Sequence, residues 1–150
     1  MKAIIKSIEN RIGELEKASY VDENTGQLDD YSPNFPVKFP CVLIDIGNAD
    51  FSDMRIDRKL TPSARQIATN DIVITISNLK LGNTSYQAPS NQKEIGWSIW
   101  DLIEEVHGKI QGWNATNYCG KLIRTRQQRI RRDDGIQQYE ITYKADAHNV

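Results

Sequence analysis

Two runs of strand-like composition, residues 122–132 and 136–147, flank Asp133-Asp134-Gly135. This feature restricts the chain more than any other. Asp-Gly is favoured where a hairpin needs positive φ, so the pattern predicts an antiparallel hairpin closing the chain. Its register is open. A two-residue loop at Asp134-Gly135 sets Arg129 opposite Glu140 and puts Arg124 and Arg126 on the face of Tyr139, Ile141 and Tyr143. A three-residue loop at 133–135 moves Arg129 and Arg131 to the tyrosine face instead, because a one-residue slip exchanges the faces.

Upstream, Ile4, Ile5, Ile8, Ile12 and Leu15 recur at helical spacing and predict an N-terminal helix. The polar stretch 19–38 holds Gly26, Pro33 and Pro36, with a short extended piece at Tyr20-Val21 and then a loop. Residues 38–46 predict a strand. Val42-Leu43-Ile44 is a continuous apolar run, as expected of a strand covered on both faces. Residues 47–70 read as a long polar connection. Residues 71–79 alternate, with Ile72, Ile74 and Ile76 facing one way and Val73, Thr75 and Ser77 the other, so they form a second strand.

After a loop at 80–90, Asn91 and Glu94 match a capping box. They predict a single second helix whose stripe is Ile95, Ile99, Leu102, Ile103, Val106 and Ile110, flanked by Trp97 and Trp100 and ended near Gly112. The sum is an α+β fold. It has a mostly antiparallel sheet, two helices packed on one face and a terminal β-hairpin, with residues 1–150 forming one domain.

Composition narrows the function. With 150 residues, 39% hydrophobic and 26% charged, the chain can bury a real core. A formal net charge of −1 supplies no global field toward nucleic acid or membrane. The start, Met1-Lys-Ala-Ile-Ile-Lys6, lacks the apolar core of a signal peptide, and no apolar run approaches the ~20 residues a bilayer requires. These readings predict a soluble protein made in a cytoplasm, without membrane contact. Cys41 reads as a small buried hydrophobe, and a disulfide to Cys119 is not expected.

No motif carries chemistry. His107 and His148 have no cysteine at ligand spacing, so no metal site is expected, and His107 reads as a residue of a helix C-terminal end. Gly108-Lys-Ile-Gln-Gly112 lacks the pattern of a phosphate loop, and there is no nucleophile elbow. Trp97, Trp100 and Trp113 could stack a ligand, but their spacing fits core or interface better. The reading predicts no catalytic residues and no cofactor.

Charge is distributed unevenly. Residues 121–132 hold six bases and no acid: Lys121, Arg124, Arg126, Arg129, Arg131 and Arg132, all on one predicted strand. Residues 22–30 and 45–57 lean acidic. The basic strand either faces nucleic acid or an acidic partner, or is a solvated strand paired with acids such as Glu140 across the hairpin.

Three stretches carry a family resemblance. They are Tyr20-Val-Asp-Glu-Asn-Thr-Gly-Gln-Leu-Asp29 running into Pro36-Val-Lys-Phe-Pro-Cys-Val-Leu-Ile-Asp45, then Trp97-Ser-Ile-Trp-Asp-Leu-Ile-Glu-Glu-Val-His107, then Arg132-Asp-Asp-Gly-Ile-Gln-Gln-Tyr-Glu-Ile-Thr-Tyr143. With the order helix, strands, helix, hairpin, they resemble prophage-encoded tail terminator proteins of long-tailed bacteriophages, the minor tail protein U type. The resemblance implies a non-enzymatic virion protein of the tail, assembled in the host bacterial cytoplasm. It would form a homo-oligomeric ring, usually a hexamer, that caps the tail tube and joins it to the head. Its partners would be further copies of itself, the tail tube protein and head–tail connector proteins, with transient non-specific contact with DNA. The alternatives are a nucleic-acid-binding module using the basic hairpin, a neighbouring head–tail connector protein, and a small enzyme with an unrecognised site.

Overall fold

The structure is a computed structural model that describes residues 1–30, 37–53 and 66–148. Its elements are helix α1 (Lys2–Gly13), strand β1 (Tyr20–Glu23), a 3-10 turn (Gln27–Asp29), strands β2 (Cys41–Asp53) and β3 (Gln66–Leu79), helices α2 (Ser90–Gly96) and α3 (Ser98–Ile110), and strands β4 (Ile123–Ile130) and β5 (Ile136–His148). The strands form one sheet in the order β1-β2-β3-β5-β4. Only β1 and β2 run parallel; the other neighbours are antiparallel. The α+β class expected from the sequence is what the chain adopts.

Alternation along the strands places the core. Val42 and Ile44 of β2, Ile72, Ile74 and Ile76 of β3, and Tyr139, Ile141 and Tyr143 of β5 point to one face. There they meet Ile4, Ile8 and Ile12 of α1 and Ile99, Leu102, Ile103, Val106 and Ile110 of α3. Burying each isoleucine of α1 stabilises by about 1.5–3 kcal/mol. Polar contacts at the ends fix how the two helices lie. Arg11 Nε donates to the Lys109 carbonyl at 2.6 Å, and Lys109 Nζ lies 3.2 Å from Glu14 Oε2. The first supplies a donor to a carbonyl of the last turn of α3, where a cation also suits the helix dipole.

Among the described residues, the opposite face is covered at one end only. Leu28 of the 3-10 turn and Val37 pack on Cys41 and Leu43, and Ser77 and Gln138 are buried beside them. This confirms that Val42-Leu43-Ile44 is covered on both sides. Cys41 and Cys119 are both free and buried.

Several boundaries differ from the sequence expectation. β2 continues from Ile46 through a bulge at Gly47 to Asp53, and β3 begins at Gln66, so much of the expected polar connection is strand. Residues 54–65, the middle of that connection, and the loop with Pro33 and Pro36 lie outside the described residues. The second helix is two helices. Gly82 and Gly96 explain the break: a Cβ on Gly82 would meet the Gln92 carbonyl oxygen at 2.3 Å, and one on Gly96 would meet Thr84 Cγ2 at 2.4 Å. The loop 80–89 therefore crosses against the helix where only glycine fits. Trp97 leaves helical geometry there (φ −98°, ψ 2°), and Ser98 Oγ donates to the Ile95 carbonyl at 2.9 Å.

The expected capping box does not form either. Pro89, at φ −57°, occupies the N-cap position of α2 without a side-chain cap, leaving Asn91 already inside the first turn. Ile95, placed on the buried stripe by periodicity, is 46% exposed because the break turns α2 away from the α3 register. Beyond α3, Gly112 has φ +72° and ends the helical run as expected.

Candidate functional site

The basic hairpin is the sequence-nominated site, and its geometry follows from the ladder between β4 and β5. Near the turn, Arg129 pairs with Tyr139, the register of the three-residue loop. Gly135 takes φ +75°, which the Asp-Gly pair supplies. A bulge at Thr125 then shifts the register by one, so that Arg126 pairs with Thr142 and Arg124 with Tyr143. Arg124 and Arg129 therefore share the tyrosine face with the helices, while Arg126 and Gln128 stand on the other. Glu140 pairs with Gln128, not with Arg129.

The six bases are not one surface. Arg124, Arg126 and Arg129 are exposed on β4, which forms an edge of the sheet. Lys121 and Arg131 are exposed but precede and follow the strand. Arg132 also lies outside β4, and its side chain is only 6% exposed. Its guanidinium is held by Asp134 at 2.7 Å, by Gln138 Oε1 at 3.1 Å and by the Leu28 carbonyl. This corrects the expectation that all six lie on one strand. Arg132 is interior because its planar fork reaches three acceptors from the hairpin turn, β5 and the 3-10 turn at once. It pins that turn over the second sheet face. In return, the Arg132 hydrogen bonds hold the Asp134 carboxyl below the usual carboxylate range.

Beside β4 on the helix face lies an aromatic cluster. The Trp100 and Tyr139 rings are 4.8 Å apart, and the Arg129 guanidinium sits 5.8 Å from the Tyr139 ring. Trp97 and Trp100 remain 44% and 40% exposed. Exposed Trp beside Arg is the composition of a protein contact surface. His107 lies further along, its Nδ1 3.0 Å from the buried Tyr143 hydroxyl. Burial, with Arg124 nearby, lowers the His107 pKa below the ordinary histidine value. Burial pushes that of Tyr143 up to about 12.

The depression along Arg124, Thr125, Arg126 and Gln127 has a volume of about 390 Å³ and is lined by four consecutive residues of one strand. Among the described residues, no three His, Cys, Asp or Glu side chains are grouped to hold a metal ion. Burial raises the thiol pKa of both Cys41 and Cys119. Among the described residues, no helix is long and apolar enough to cross a membrane.

The chain is similar in fold to a gene transfer agent virion protein. The solved structure is described as the virion of a native gene transfer agent particle; the alignment covers 98% of this chain and 92% of that one, at 13% identity and a TM-score of 0.54. At that identity the likeness is one of fold. No protein-family model and no curated protein matches the sequence.

Two features escaped the sequence reading. One is the interior role of Arg132, for which the neighbouring Asp133-Asp134 gave the only hint. The other is the polar continuation of β2, residues 47–53, whose lack of alternation gave no strand signal.

Proposed function

We propose that this chain is a structural component of a phage-like virion, and specifically a tail terminator that closes the tail tube as a ring and presents the surface that joins the head. The observation that carries this is the end-to-end fold likeness to a protein of a gene transfer agent virion, which spans nearly all of both chains. The geometry is compatible with it: the exposed arginines of β4 lie on an edge of the sheet and the exposed Trp100 of α3 packs on neighbouring Tyr139, a composition suited to contacts between proteins.

The basic residues belong to assembly in this reading. The strand bulge divides Arg124 and Arg129 from Arg126 across two faces, and Arg132 is used internally. A surface that reads nucleic acid would present its cations on one side. Passing DNA would meet only a weak phosphate attraction, with Kd of ~10⁻⁴ to 10⁻⁶ M.

Light scattering on the purified protein, followed by negative-stain microscopy, tests the proposal. Closed rings, with the hexamer the expected size, are the supporting result. A persistent monomer with tight, sequence-selective, salt-sensitive DNA binding would overturn it in favour of a nucleic-acid-binding module.

A further inference from the structure

Among the described residues, the sheet has two unpaired edges of opposite charge. β1 covers β2 only along Tyr20–Glu23, opposite Cys41 to Ile44, after which the Asn24 N–H donates to the Ile44 carbonyl. From Asp45 to Asp53, β2 is paired with β3 alone among the described residues. On the far side, β4 is paired with β5 alone among the described residues, and outside that ladder its Arg124 N–H donates to Gln111 Oε1 at 2.9 Å. An exposed edge of this length is a template for another strand. The outer half of β2 carries Asp45, Asp50 and Asp53 and no base; β4 carries Arg124, Arg126 and Arg129 and no acid.

We propose that copies of this chain dock edge to edge, with β4 of one adding as a strand to the outer half of β2, residues 45–53, of the next. The inference rests on the ring reading and names its contact. A head-to-tail contact between two different patches is what a cyclic ring uses. Like charges keep each edge from pairing with its own copy, and unlike charges draw it to the other. Orientation agrees as well. β2 and β5 run in the same direction and β4 opposes them. In a ring whose axis runs along the strands, rotation preserves strand direction, so β4 meets β2 antiparallel.

The faces also correspond. Asp45 pairs with Val73, Val73 with Thr142 and Thr142 with Arg126, one row across the sheet on the face away from α1 and α3. Asp50, opposite Thr69, is on that same face. Arg126 of one copy thus comes to the side of Asp45 and Asp50 of the next. On the helix face, Arg124 and Arg129 come to the side of Phe51, which is 54% exposed and pairs with Ala68. A guanidinium over that ring adds a cation–π contact. Sliding the strands to bring the two segments level is the stagger that any closed sheet contains.

Two charge-reversed variants test the contact: Arg124→Glu with Arg126→Glu, and Asp45→Lys with Asp50→Lys. Circular dichroism checks folding, and light scattering measures assembly. Each variant alone is expected to need at least a tenfold higher concentration than wild type to assemble. An equimolar mixture is expected to restore assembly, because each reversed edge then meets its complement. If the wild type forms rings and both folded variants do so equally well, or if the mixture stays monomeric, edge docking is overturned while the ring reading stands. A wild type that remains monomeric at millimolar concentration removes both. Should a variant fail to fold, amide hydrogen exchange on the wild type decides: protection of residues 45–53 and 123–130 that rises with concentration supports the contact, and unchanged exchange at both edges overturns it.

Discussion

Replacing Ile44 by aspartate should be among the most damaging single changes in this protein. Ile44 is fully buried, sits in the row Glu23–Ile44–Ile74–Ile141, and faces the α1–α3 layer. Losing the aliphatic side chain alone should cost about 2–5 kcal/mol, by analogy with isoleucine-to-alanine changes in cores. The carboxyl that replaces it has apolar neighbours on that face. It would enter protonated, adding about 1–3 kcal/mol for an unsatisfied polar group. The sum, about 3–8 kcal/mol, is comparable with the whole stability of a domain of this size. At ~2–4 °C per kcal/mol the melting temperature should fall by at least ~6 °C, and the upper part of the range predicts no cooperative transition. The assay is thermal and urea unfolding followed by circular dichroism, with Ile44→Val as the graded control at about 0.5–1.5 kcal/mol. A melting curve for Ile44→Asp that overlays wild type would refute both the placement of Ile44 between β1 and β3 and the facing assigned to its side chain.

Gly82→Ala should destabilise by about 1–3 kcal/mol, since the new methyl meets backbone at 2.3–2.6 Å and the loop must move. Trp97 fluorescence and hydrogen exchange at 80–97 should report the change, and unaltered exchange there would remove the explanation of the helix break. Arg132→Met should cost about 2 kcal/mol by stranding the Leu28 carbonyl and Asp134, an estimate reduced because Asp134 keeps 20% exposure. The Asp134 carboxyl pKa should rise toward its ordinary value in the variant, measurable by NMR titration; no rise counts against the pairing. His107 has a folded pKa below its unfolded one, so its neutral form contributes stability that is present above pH ~6.5 and lost as the pH falls toward the folded value. His107→Gln should flatten that part of the stability-versus-pH curve, and a variant curve with the same slope as wild type would argue against the assignment.

Local periodicity was enough for some elements and not for others. Ile4, Ile8 and Ile12 announced α1, and the alternation from Ile72 to Ser77 announced β3, because one buried face imposes its period on the side chains. Asp134-Gly135 announced the hairpin because the turn's positive φ is a demand on residue type alone. The candidate site was half legible in the same way. The run of bases was plain in the sequence, but its division over two faces depends on a bulge at Thr125 that no residue preference marks.

What the sequence determined by itself was therefore the α+β class, the apolar faces that make the core and the opposite charge of two segments. The tertiary structure decided the rest. β2 extends through the polar residues 47–53 because β3 supplies a ladder of backbone hydrogen bonds, which needs no apolar pattern. The second helix breaks at Trp97 because the loop that precedes it folds back and packs Gly82 against Gly96. The Arg132 side chain is buried while Arg124, Arg126 and Arg129 are exposed because acceptors from the 3-10 turn, the hairpin turn and β5 meet just beyond the end of β4. Each outcome turns on tertiary packing, which local propensity does not encode.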